Sequence, residues 1–125
     1  MRYLRAEEIL AIHDRIIGET GGRLGVRDFN LLFSVAERPK MTLMGSEIHR
    51  DVFSKAASYL EGLATYHVFI DGNKRTAFMT AAVFLGMNGC RLSVSTNAAH
   101  RFMLDVALKK KTIKQVSTWL KKYSK

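Results

Sequence analysis

Nine consecutive residues, His67-Val68-Phe69-Ile70-Asp71-Gly72-Asn73-Lys74-Arg75, bring an imidazole, a carboxylate, a glycine, an amide and two cations together. A nearly unbroken apolar run from Thr76 to Leu85 follows at once. That run is too hydrophobic for a surface helix, so it reads as a helix buried in the middle of the domain, with the polar residues at its start. A helix start carries unpartnered backbone N–H groups and partial positive charge, which suits an anion. Gly72 permits a tight turn or a close approach. Lys74 and Arg75 add full positive charge, and arginine can grip a phosphate through two parallel bonds. Asn73 can cap the helix or donate its amide to an oxyanion. Asp71 is the one group suited to magnesium, which takes one or two carboxylates together with phosphate oxygens. His67 is the natural general base, since an imidazole titrates at about 6.5, near working pH. The segment reads as a magnesium-assisted phosphate site with a base at its edge. An Asp-Gly-Asn turn, an N-cap and two solvated cations explain the same letters without any chemistry.

Two long helices must position these groups. From about residue 47 to 66, Val52 or Phe53, Ala56, Ala57, Leu60, Leu63 and Ala64 recur at helical steps, and this helix delivers His67 at its end. The central helix follows over about 73–87 and stops at Asn88-Gly89, a pair that tolerates the left-handed conformation. Phe69 reads as an apolar anchor between the two.

A first helix is expected over 6–20, with Ile9, Leu10, His13, Ile16 and Ile17 on one face and acids early in the turn order. His13 lies on that apolar face and reads as a hydrogen-bonded core histidine. Asp28 is positioned to cap a helix over about 29–37 whose apolar members are Phe29, Leu32, Phe33 and Ala36, and Pro39 ends it. Arg91–Ser95 alternates as a short extended piece would. Two further helices, about 97–109 and 113–123, finish the chain; Thr112-Ile113-Lys114-Gln115 has the form of a capping box, and Val106, Ile113, Val116, Trp119 and Leu120 are expected to pack inward. The expectation is an all-α single domain over 1–125, with about six helices around a buried central one.

Composition agrees with that class. Hydrophobic content of 47% with 25% charged residues is ordinary for a soluble globular chain. One cysteine, Cys90, rules out an internal disulfide and argues against zinc. There is no signal-peptide pattern and no membrane-length apolar run, so a cytoplasmic protein is expected. The net charge of +9 is uneven: residues 101–125 hold eight Lys/Arg against Asp105 alone, a net +7. Such a segment suits nucleic acid, an acidic protein or plain water. With no aromatic interleaving and no nucleic-acid motif, direct nucleic-acid binding is not expected.

The nine-residue segment resembles the signature of the Fic/Doc family, in its death-on-curing (Doc) branch. Fic proteins carry His-Pro-Phe, two variable or acidic positions, Gly-Asn-Gly-Arg and a second Arg three residues on. This chain keeps His67, Phe69, Asp71, Gly72, Asn73 and Arg75, but has Lys74 at the second glycine and Phe78 at the second arginine. Both departures are those of Doc. Gly21-Gly22, Gly25-Val26-Arg27-Asp28, Leu31-Leu32, Ala36, Arg38-Pro39 and Trp119-Leu120 extend the resemblance over nearly the whole chain.

The resemblance implies the Fic/Doc helical fold and a toxin of a type II toxin–antitoxin pair. His67 would take the proton of a Ser or Thr hydroxyl, Gly72, Asn73, Lys74 and Arg75 would hold the phosphates of ATP, and Asp71 would hold Mg2+. The Doc form implies transfer of the terminal phosphate, by a kinase reaction, and the Fic form transfer of the nucleoside monophosphate. Elongation factor Tu is the implied target, and an acidic, Phd-like antitoxin the implied partner. Lys40–Gly45 corresponds to the flap that holds the target segment, although an ordinary buried loop accounts for those letters. The Fic autoinhibitory pattern is absent, since Ala57 precedes Glu61-Gly62 where Ser or Thr is needed. A basic RNA- or protein-binding module without catalysis is the alternative from another class.

Overall fold

Asp28, Asp51, Ser95 and Thr112 each accept a hydrogen bond from a backbone amide three residues ahead, and a helix starts directly after each. Thr112 and Gln115 form the expected capping box. In the computed structural model, which describes residues 1–125, six helices result: α1 (Ala6–Thr20), α2 (Phe29–Glu37), α3 (Val52–Thr65), α4 (Asn73–Met87), α5 (Thr96–Ala107) and α6 (Ile113–Lys122). The only sheet is a minimal hairpin, β1 (Thr42–Leu43) paired antiparallel with β2 (Ser46–Glu47). The architecture is all-α, as the periodicity predicts.

The core is built around α3 and α4. Ala56 and Ala57 on α3 and Ala77 and Ala81 on α4 are fully buried, and such small side chains let two helices approach closely. Leu60, Leu63, Phe84 and Leu85 fill the space around them. The α4 helix also packs on α1 and α5, while α3 receives α2, α5 and α6. Tyr59 on α3 meets the Phe84 ring at 5.1 Å, and its hydroxyl both donates to the Leu4 carbonyl (3.2 Å) and accepts from the Leu4 amide (3.0 Å). Burial pushes that phenol up to about 12. The extended piece at Arg91–Ser95 pairs with the chain end, where Leu92 bridges Ser124 and Arg91 exchanges two backbone bonds with Lys125. No helix is long and apolar enough to cross a membrane.

Three expectations are corrected. The helix expected from residue 47 starts at Val52, because Asp51 caps it and Glu47 belongs to β2. Phe29 and Phe33 are not core members; both are exposed, and α2 buries Leu32, Val35 and Ala36 instead. Lys40–Gly45 is not a buried loop: Lys40 closes a 3-10 turn over Arg38–Lys40, and the residues after it enter the exposed hairpin, with Met44 at its tip. Met79 also reaches solvent, so α4 is buried along most but not all of its circumference.

The hairpin is tied down from below. Lys55 on α3 is fully buried, and its ammonium donates to the Pro39 carbonyl (3.1 Å), the His49 carbonyl (2.6 Å) and the Glu47 carboxylate (2.9 Å). Burial alone would lower its pKa, but the bond to Glu47 and the nearby Tyr3 more than offset this and leave it raised.

Candidate active site

The α3 helix ends at Thr65 with Tyr66 as its C-cap, and the next residue, His67, takes a left-handed conformation (φ +53). Glycine normally fills that position, because a side chain there costs about 1–2 kcal/mol. Arg27 holds the turn in place: its guanidinium donates to the Tyr66 carbonyl (2.9 Å) and the His67 carbonyl (2.5 Å). Its own backbone amide bonds the Val68 carbonyl (2.8 Å), next to the antiparallel bridge between Val26 and Phe69. The His67 ring is thereby presented to solvent from a pinned backbone.

Val68 and Phe69 are buried and anchor the loop that follows. The Asn73 side chain closes the loop on itself: its Oδ1 accepts from the Phe69 amide and its Nδ2 donates to the Phe69 carbonyl, both at 2.9 Å. Asn73 therefore does not cap α4 with its side chain, and one of its two Nδ2 protons is engaged by the Phe69 carbonyl. Gly72, left-handed at φ +78, takes the N-cap place. No side chain caps α4, and Thr76 is the first residue whose amide bonds back within the turn, to Gly72. The amides of Asn73, Lys74 and Arg75 are left without an intrahelical acceptor.

Charge is arranged around those amides. Lys74 is exposed at the second helical position. Arg75 is drawn toward the end of α1, with Nη1 bonded to the Thr20 hydroxyl (2.5 Å) and the Gly21 carbonyl (3.0 Å). Its Nη2 lies 4.0 Å from the Asp71 carboxylate. Asp71 accepts from the amides of Arg23 (3.1 Å) and Gly72 (2.8 Å), and these two bonds, with Arg75 and Arg23 adding less, hold its pKa below the usual carboxylate value. No cluster of three or more His, Cys, Asp or Glu exists anywhere in the chain. One half-exposed, ionised carboxylate beside free amides fits a magnesium ion whose remaining ligands come from phosphate, and does not fit a metal held by protein alone.

The sequence reading placed His13 in the core but missed what it touches. Fully buried, it stacks on Phe69 (3.9 Å between centroids, 6° between planes), and its Nε2 lies 2.7 Å from the Asp71 carbonyl. Its Nδ1 lies 3.0 Å from the Asp14 carboxylate. Gly22 was also missed: a Cβ there would stand 2.8 Å from the Asp71 carboxylate and 3.3 Å from Arg75 Nη2. Arg23, Arg27 and His13 are brought to the site by tertiary contact, and only the Gly21-Gly22 pair left a local signal.

The model of the Fic/DOC family matches residues 3–85, which span α1 through nearly all of α4. The chain belongs to the Fic/Doc family. Within it, the chain is 37% identical over 107 residues to Toxin Doc of Mycolicibacterium smegmatis, covering 84% of this chain and 80% of that protein. It is 36% identical over 99 residues to Protein kinase doc of Escherichia phage P1, covering 79% of this chain and 78% of that one. Both are Doc proteins, in agreement with Lys74 and Phe78 in the signature. Every signature residue of this Fic/Doc chain lies between the end of α3 and the first turn of α4.

Proposed function

We propose that this chain is a Doc toxin that transfers the terminal phosphate of ATP to a Ser or Thr hydroxyl of elongation factor Tu, arresting translation, and that an acidic, Phd-like antitoxin restrains it. The observation that carries the reading is the uncapped start of α4, with three free amides, two cations and an ionised Asp71, beside a histidine held exposed by a pinned left-handed turn. Similarity to Toxin Doc and Protein kinase doc supports it.

His67 takes the proton of the target hydroxyl as its oxygen attacks the terminal phosphorus; the bond to the β-phosphate oxygen breaks and ADP leaves. The amides of Asn73, Lys74 and Arg75 and the two side-chain cations hold the phosphates and stabilise charge on the transferring group. Arg75 has Nε and Nη2 donors free for this after its bonds to α1. Asp71 would hold Mg2+, which supplies further neutralisation of phosphate charge.

Transfer of a nucleoside monophosphate is the rival. The position of the second Fic arginine is Phe78, a half-buried side chain packed against the core, so no cation projects there to hold a nucleotide in the Fic direction. Intact-mass measurement of elongation factor Tu after incubation with the protein, ATP and magnesium tests the assignment. A gain of one phosphate, absent with His67→Ala, is expected; a gain of a nucleoside monophosphate would replace the kinase reading with the rival.

A further inference from the structure

A groove of about 670 Å3 runs between α5 and α6, sharing no residue with the α4 site. Its floor is aromatic. Trp119 stacks face to face on Phe102 (4.0 Å, 3°) and meets Tyr123 at 5.0 Å and 52°. Its rim is cationic, with Arg101, Lys111, Lys114 and Lys122 set around the single acid Asp105. Sequence order hid this interleaving, because the aromatic and basic residues come from two helices and meet only when these pack.

The charge is not consumed internally. Every ion pair in the protein lies between residues 5 and 75, and none of the eight Lys/Arg after residue 100 has an acidic partner. Asp105 is the only acid beyond Asp71. The rings also tell against single-stranded nucleic acid, whose affinity comes largely from bases stacking on open aromatic faces. Phe102 is buried with Trp119 on one face and Lys111 near its ring (6.0 Å), and the Lys122 ammonium sits 5.4 Å from the Tyr123 centroid. The Phe102–Trp119–Tyr123 cluster is thus an apolar floor within a ring of cations.

We propose that the α5–α6 groove docks an acidic polypeptide segment of a partner protein, with apolar side chains on the Phe102–Trp119–Tyr123 floor and carboxylates on the lysine rim. This surface is independent of the phosphotransfer reading. Groups on the rim steer the acidic chain and the floor gives it register.

Trp119 is the only tryptophan, so its emission reports the groove directly. The probe is a short labelled peptide alternating glutamate with leucine, titrated against the full chain by fluorescence anisotropy and Trp119 emission. Saturable binding that shifts the emission is expected, weakened by added salt. Lys114→Glu with Lys122→Glu should weaken it about tenfold or more. The matched reversal Lys109→Glu with Lys110→Glu, outside the groove, should change it less than about twofold. Equal losses from the two reversals would overturn the proposal in favour of diffuse charge attraction. Equal binding of a peptide with serine in place of leucine would overturn the role of the floor. Tighter binding of an oligouridylate, with the same emission shift, would make the groove a nucleic-acid surface instead.

Discussion

The Asp71 carboxylate accepts amide protons from Arg23 and Gly72, and those bonds set its behaviour with pH. Its native pKa lies below the unfolded value of about 3.9. The stability it contributes is therefore fully present above that value and is lost as pH falls through the lower native pKa. Urea midpoints measured without magnesium should show wild type ahead of Asp71→Asn at neutral pH, with the gap closing only below about pH 4. His13 acts on the same residue from behind, through the Asp71 carbonyl and the Phe69 ring. It touches no substrate and is a positioning residue. His13→Leu keeps an apolar filling but drops the bond, and turnover should fall about 10–100-fold. His13→Gln, which can still donate toward that carbonyl, should recover part of kcat; a filler with no positioning role would show no such recovery.

At the scale of elements, the site is the junction of two helices that are stopped and started by backbone geometry. The α3 helix stops at a left-handed histidine strapped by Arg27, and α4 starts at a left-handed glycine with nothing capping it. Four other helices have side-chain caps, so their first amides are partly satisfied, whereas α4 has no such cap. The hairpin β1–β2 and its flanks are tied to α3 by the buried Lys55 ammonium. Lys55→Met would leave the carbonyls of Pro39 and His49 without their charged donor, at a cost of about 3 kcal/mol. Amide exchange should locate the loss: the Ile48 amide, bonded to Met41, should exchange faster than wild type by a larger factor than the α3 amides do.

Across the whole molecule, both chain ends are tied back to the core. The amino-terminal segment is held by the Asn88 side chain at Arg2 and by the Tyr59 hydroxyl, which serves both the amide and the carbonyl of Leu4. Tyr59→Phe should lower stability by about 1–3 kcal/mol, because buried backbone groups lose their partner while the ring still packs on Phe84. A shift in denaturant midpoint with an unchanged slope is the expected reading. The carboxy-terminal end pairs with Arg91–Ser93, which keeps α6 and its lysines against α3. Charge is thereby segregated, with paired ions in the first 75 residues and unpaired cations on the α5–α6 side.

Local physics alone determined much of this protein. The bounds of α1, α2 and α4 follow from apolar spacing, from Asp28 as a cap and from glycine stops, and the nine-residue signature is contiguous, so it stands out without a fold. Lys40–Gly45 stayed ambiguous because its structure depends on Lys55, a lysine whose burial no local pattern reveals. Phe29 and Phe33 kept perfect helical spacing yet face solvent, since spacing names a face but not the neighbour that covers it. His13 beneath Asp71, Arg27 under His67, Gly22 against the carboxylate, and the aromatic floor within the basic rim all join residues far apart in sequence. Tertiary structure decided these, because hydrogen bonds and charges act through space, whereas periodicity reads only along the chain.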